Sequence, residues 1–169
     1  MTAEQAEGIR DLFAQTIEQD VPKTAKVLAA VPHGNRDYKP DPKSRSAWDL
    51  ATHLATADVW FLDGIIKGGF VRPEGAALPE QMIDPEGVAA WYLTHMPARL
   101  ASLRQMGPDQ LLKPVQCFGM TRPAVAWLAM MNNHSVHHRG QLAAYLRPSG
   151  GKVPALFGVS ADENPFAKD

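Results

Sequence analysis

The chain has 169 residues, 45% of them hydrophobic and 21% charged, with a formal net charge of -1. That length suits one domain, 1–169, with a proper core, and the near-neutral balance gives no electrostatic reason to expect nucleic acid or an anionic membrane surface as a partner. One cysteine, Cys117, excludes an internal disulfide; with no apolar signal core at the N-terminus and no run near the ~18 residues of a membrane span, a cytoplasmic location is expected.

Most of the fourteen prolines cluster in 32–42, 73–85, 108–123 and 148–165, dividing the chain into four helical blocks. No segment sustains apolar–polar alternation, so no strand is predicted. The first block runs from about Thr2 to Ala30, with Ile9, Leu12, Phe13, Thr16 and Ile17 as one stripe that Val27, Leu28 and Val31 continue. Pro22 should kink or break it, because the ring removes an N–H and crowds the preceding turn.

The second block opens on Ser46-Ala47-Trp48-Asp49, a capping-box pattern, and stops at Gly68-Gly69. Between them Leu50, His53, Leu54, Ala57, Phe61, Gly64 and Ile65 share a core-facing arc, with His53 at its edge beside small residues. The third block starts at Asp84-Pro85, an N-cap followed by proline at the first helical position. Ala89, Leu93, Met96, Leu100 and Leu103 give its apolar face, Pro97 should kink it, and His95 lies off the face.

The fourth block spans from near Thr121 to before Pro148. Trp127, Met131, His134, His138, Leu142 and Tyr145 recur in steps of four and three, which sets His134 and His138 in the middle of a buried stripe. Val125, Leu128, Ala129 and Val136 form a second apolar side, as expected of a helix that is central or packed against another subunit. Four such blocks make an all-α four-helix bundle. The stretches Pro32 to Arg45 and Gly107 to Met120 are long enough to cross an end of it.

His134 and His138, four residues apart on one helix face, can reach a single metal ion. Burying two imidazoles is costly unless both find partners, and the stripe offers few. His53, on the core edge of another helix, is the candidate third ligand. Gln141, a turn further on, can hold a hydrogen bond behind the ligands. His137 is turned about 100° from His138, His33 lies in a turn, and Cys117 reads as a small apolar residue more readily than as a soft ligand.

These residues carry a resemblance. The run Asn133-His134-Ser135-Val136-His137-His138-Arg139-Gly140-Gln141, with Ser44-Arg45-Ser46 through His53 upstream, resembles the DinB-like (damage-inducible) superfamily of metal-binding four-helix bundles. Tyr145-Leu146-Arg147, Gly151-Lys152-Val153-Pro154 and Ser160-Ala161-Asp162-Glu163 fit a variant of that pattern. The resemblance implies that His53, His134 and His138 bind a divalent metal, usually zinc or nickel, that the bundle has an unusual connection order, and that the protein is a homodimer. It has nothing to do with the translesion DNA polymerase that shares the label. Such proteins include S-transferases that use bacillithiol or glutathione-like thiols and a mycothiol-dependent isomerase.

Two functions of different class follow. Three histidines leave coordination positions open, as in catalytic rather than closed structural sites, which implies a metal-dependent enzyme: transfer of a small thiol to an electrophilic small molecule, or hydrolysis. The other is a module without turnover, in which the ion staples two helices. Asp49, Asp58, Gln141, Tyr145 and Glu163 are candidates for an acid or base, and the sequence does not choose among them.

Overall fold

The structure, a computed structural model, describes residues 1–71, 75, 77–164 and 166. Pro73, Pro165 and the end of the expected 1–169 unit lie outside the described residues. The elements are α1 (Ala3–Ala29), α2 (Ala47–Lys67), α3 (Pro85–Arg104), the short α4 (Pro108–Leu112), β1 (Pro114–Cys117), β2 (Met120–Pro123) and α5 (Trp127–Leu146). The fold is all-α in character, with four long helices and one small hairpin.

Helix starts follow the local chemistry. The Thr2 hydroxyl accepts from the Gln5 N–H while the Gln5 side chain answers the Thr2 N–H, and Ser46 and Asp49 do the same for α2. Asp84 caps α3 with Pro85 at its first position. Gly68 ends α2 at φ 68°, a left-handed conformation that suits glycine. The predicted break at Pro22 does not occur: α1 runs through it, and α3 runs through Pro97. Both prolines and the residues four before them, Glu18 and Leu93, are exposed, so each carbonyl that loses its helical partner can turn to water.

Packing gives the connection order. α1 packs on α3 and α5, and α2 packs on α3 and α5, whereas α1 and α2, like α3 and α5, stand diagonally opposite. The α1–α2 and α3–α5 connections therefore cross the bundle, the two stretches whose length suggested it. The second crossing holds α4 and the hairpin, which corrects the strand-free prediction. β1 and β2 pair antiparallel from Pro114↔Pro123 to Cys117↔Met120, closed by Phe118-Gly119 with φ of 49° and 74°. Positive φ at both central positions matches the twist of a two-residue hairpin; strands of four residues are too short to show alternation. Because the hairpin takes the segment around Thr121, α5 starts only at Trp127.

The core also rotates some faces. Tyr92 is buried on α3 where Leu93 was expected, and Leu12 of α1 is exposed. On α5 the expected Trp127, Met131, Leu142 and Tyr145 are buried, and Leu128, Ser135, Arg139 and Leu146 extend the buried face on the side one residue on from the two histidines. His134 and His138 thus flank the buried stripe, half-exposed, rather than occupying its middle. Of the second apolar side, Val125 and Leu128 are buried within this chain, and Ala129 and Val136 remain exposed. No described helix is long and apolar enough to cross a membrane.

Candidate metal centre

The Ser46 cap starts α2 so that His53 falls two turns in, where α2 packs on α5. On α5 the four-residue spacing stacks His134 and His138 with ring centroids 4.4 Å apart. The His53 ring stands edge-on to both, at 5.1 Å from His134 and 4.8 Å from His138. All three offer a ring nitrogen within 4.8 Å of one another, and among the described residues this is the one cluster of histidine, cysteine or carboxylate groups able to hold a metal ion. Its donors are imidazole alone.

The nitrogens are arranged for a common partner. Nε2 of His53 and Nε2 of His134 face each other at 3.2 Å. That matches the ligand–ligand edge of about 3.3 Å implied by tetrahedral zinc–nitrogen bonds of 2.0–2.1 Å. Nδ1 of His134, on the far side of the ring from the nitrogen that faces His53, is buried with no hydrogen-bond partner. His138 donates from Nδ1 to Oε1 of Gln141 at 3.1 Å, and Nε2 of Gln141 donates to the Tyr145 hydroxyl at 3.4 Å. That chain fixes the tautomer which leaves the other nitrogen of His138 with its lone pair. The donor set therefore fits a divalent ion of the kind that prefers nitrogen ligands.

Electrostatics keep the rings in the metal-binding form. Burial, helped by the Arg45 charge, pushes the His53 imidazole down to about 4, and burial with the neighbouring His138 and His53 does the same to His134. Burial lowers His138 as well, against the opposing Gln141 hydrogen bond. Neutral imidazole is what a metal requires. A cavity of about 480 Å³ opens beside the triad, lined by Arg45, His53 and His134 and walled by Trp60, Phe61 and Phe118.

A family model for the DinB family matches residues 2–164. The chain belongs to the DinB family. This DinB protein is 28% identical over 127 residues, 75% of the chain and 82% of its relative, to YjoA of Bacillus subtilis strain 168, which is described only as an uncharacterized protein. Its fold is similar to the crystal structure of that DinB-like protein, with a TM-score of 0.69 at 23% identity over 88% of this chain and 99% of the other. A DinB-like protein from Bacillus cereus ATCC 10987 has a TM-score of 0.70 at 24% identity, over 86% and 95%.

None of the other histidines joins the triad, although the His137 ring stands edge-on to His138 at 4.9 Å. His137 is exposed and outside the cluster, His95 stacks on Trp91 with centroids 4.1 Å apart, and His33 lies 2.7 Å from Glu86. Cys117 is buried at the end of β1. Of the acid–base candidates, Asp49 is spent on the helix cap and Glu163 on the Ala155 N–H and Lys26 in the C-terminal segment. Tyr145 is linked to the triad through Gln141.

Asp58 is wholly buried, and it reveals what the sequence reading missed. Its Oδ2 accepts from the Tyr92 hydroxyl at 2.9 Å and the Ser135 hydroxyl at 2.8 Å. Beside it Arg139, also buried, donates to Thr24 at 2.9 Å and Asp20 at 2.6 Å. Side chains from all four long helices join this polar layer behind the triad. The available signal was the spacing Met131, Ser135, Arg139, Leu142, a helical stripe hidden by its two polar members.

Proposed function

We propose that this DinB protein is a divalent-metal-dependent enzyme, loaded with zinc or nickel at His53, His134 and His138, that transfers a low-molecular-weight thiol to an electrophilic small molecule. The observation that carries the reading is the convergence of three neutral imidazoles, with no fourth protein donor among the described residues, at the wall of an open cavity. An open position is the property of a catalytic site. An ion held there supplies Lewis acidity, which makes a thiol a far stronger acid than its ordinary value of about 8.5.

The chain's own groups do the rest. His53 and His134 bind from two helices, Gln141 orients His138, and Arg45 places positive charge at the cavity mouth. Thiol transfer is put ahead of hydrolysis on the resemblance to thiol S-transferases, since an ion on three imidazoles would acidify bound water and bound thiol alike. A reducing, cytoplasmic setting belongs to the same proposal, since small thiols stay reduced there. So does a homodimer, supported by the exposed Val136 on α5; light scattering at micromolar concentration tests it, and a monomer counts against it.

The test is thiol consumption with an activated aryl chloride as electrophile. Chelator-treated protein should be inactive and regain turnover with zinc or nickel. Unchanged turnover in metal-free protein would refute the reading.

A further inference from the structure

The lining of the cavity beside the triad is of two kinds, charged and aromatic. The charge is positive. Arg45 lines the cavity with His53 and His134, and its charge acts on all three imidazoles. Arg45 is exposed and makes no ion pair among the described residues. Every other described arginine is engaged: Arg10, Arg99, Arg104, Arg139 and Arg147 with carboxylates, Arg36 over Trp48 and Arg122 over Trp127.

The rest of the lining is largely apolar. Trp60 donates its indole N–H to the Val71 carbonyl at 2.6 Å, so it offers the cavity only its ring. Phe118 stands at the hairpin tip, 6.0 Å from Trp60 and 6.3 Å from Phe61 between centroids. It is the single non-glycine residue with positive φ among those described, and the residue remains 56% exposed. A bulky side chain in that conformation is strained, and the folding core gains little from an exposed ring. What the arrangement does provide is a third aromatic wall.

We propose that this cavity binds a small molecule carrying one carboxylate on a flat aromatic body, the carboxylate paired with Arg45 and the body held against Trp60, Phe61 and Phe118. A planar guanidinium matches a carboxylate through two parallel hydrogen bonds, and about 480 Å³ is the size of a small-molecule site. The inference rests on the proposed function only in taking such a molecule as the electrophilic substrate. Binding itself does not need the ion.

Calorimetric titration of metal-free protein with naphthalene-2-carboxylate and with the uncharged naphthalene-2-carboxamide tests it. The carboxylate should bind at least about tenfold more tightly. Arg45→Gln, at an exposed position, should bring the two within about twofold, while Phe118→Ala should weaken both alike. Equal affinities for wild-type protein, a preference that survives Arg45→Gln, or no binding of either compound would each overturn the proposal. Metal uptake is read separately, on protein reloaded with zinc or nickel and freed of excess ion: carboxylate-selective binding by a protein that retains no ion after reloading would refute the metal-centre reading and leave this one standing.

Discussion

Ser135, the residue directly after His134, donates its hydroxyl proton to Oδ2 of Asp58 in a part of the core that solvent does not reach. The same oxygen accepts from Tyr92, while Oδ1 has no partner. Burial outweighs these hydrogen bonds and lifts the Asp58 carboxyl to about 7. Between its ordinary value of 3.8 and about 7 the folded chain holds one proton more than the unfolded chain. The Asp58 contribution to stability therefore falls as pH rises through that window, by up to roughly 1.4 kcal/mol per pH unit, opposite in sign to the contribution of the histidines, and the fall ends above it. Asp58→Asn lacks that loss. Relative to wild type it should be more favourable at pH 8 than at pH 5 in urea unfolding; an identical difference at both pH values would mean that Asp58 does not titrate in this range.

Gln141 fixes the His138 ring from behind. Gln141→Leu fills similar volume without the acceptor and should lower metal affinity about 10–100-fold while leaving the helical circular dichroism unchanged. Competition with a chromophoric chelator reads the affinity directly. Wild-type affinity in the variant would remove Gln141 from the centre.

The histidines predict their own pH dependence. His53 and His134 stay neutral in the folded chain down to about 4, whereas unfolded histidine takes up a proton near 6.5. His138 is lowered as well, so metal affinity should stay nearly flat from pH 8 through the ordinary histidine range and drop only at lower pH, as protons begin to compete. Metal-free protein should lose stability as pH falls from about 6.5 towards 4, because the unfolded chain then binds more protons. An affinity already falling steeply between pH 7 and 6 would show ordinary, solvated imidazoles.

The parts written in local chemistry were legible in the sequence. Ser46 and Asp84 mark helix starts by capping, Gly68 marks a stop, and the i, i+4 pair on α5 marks a candidate site. What escaped depends on tertiary context. Pro22 and Pro97 interrupt nothing because their freed carbonyls face water, a condition set by which side the core takes. Phe118-Gly119 lacks the Asn-Gly or Asp-Gly pair that usually announces a two-residue hairpin. Ser135 and Arg139 lie on the buried line of α5 but read as polar, which turned the apparent stripe by one residue towards the histidines.

The most direct test of the central claim is metal content. Wild-type protein loaded with zinc or nickel and freed of excess ion should hold about one ion per chain by mass spectrometry. His53→Ala, His134→Ala and His138→Ala should each hold far less under the same conditions, and His137→Ala should match wild type. Full occupancy in His53→Ala, or a loss in His137→Ala equal to that in His138→Ala, would contradict the account.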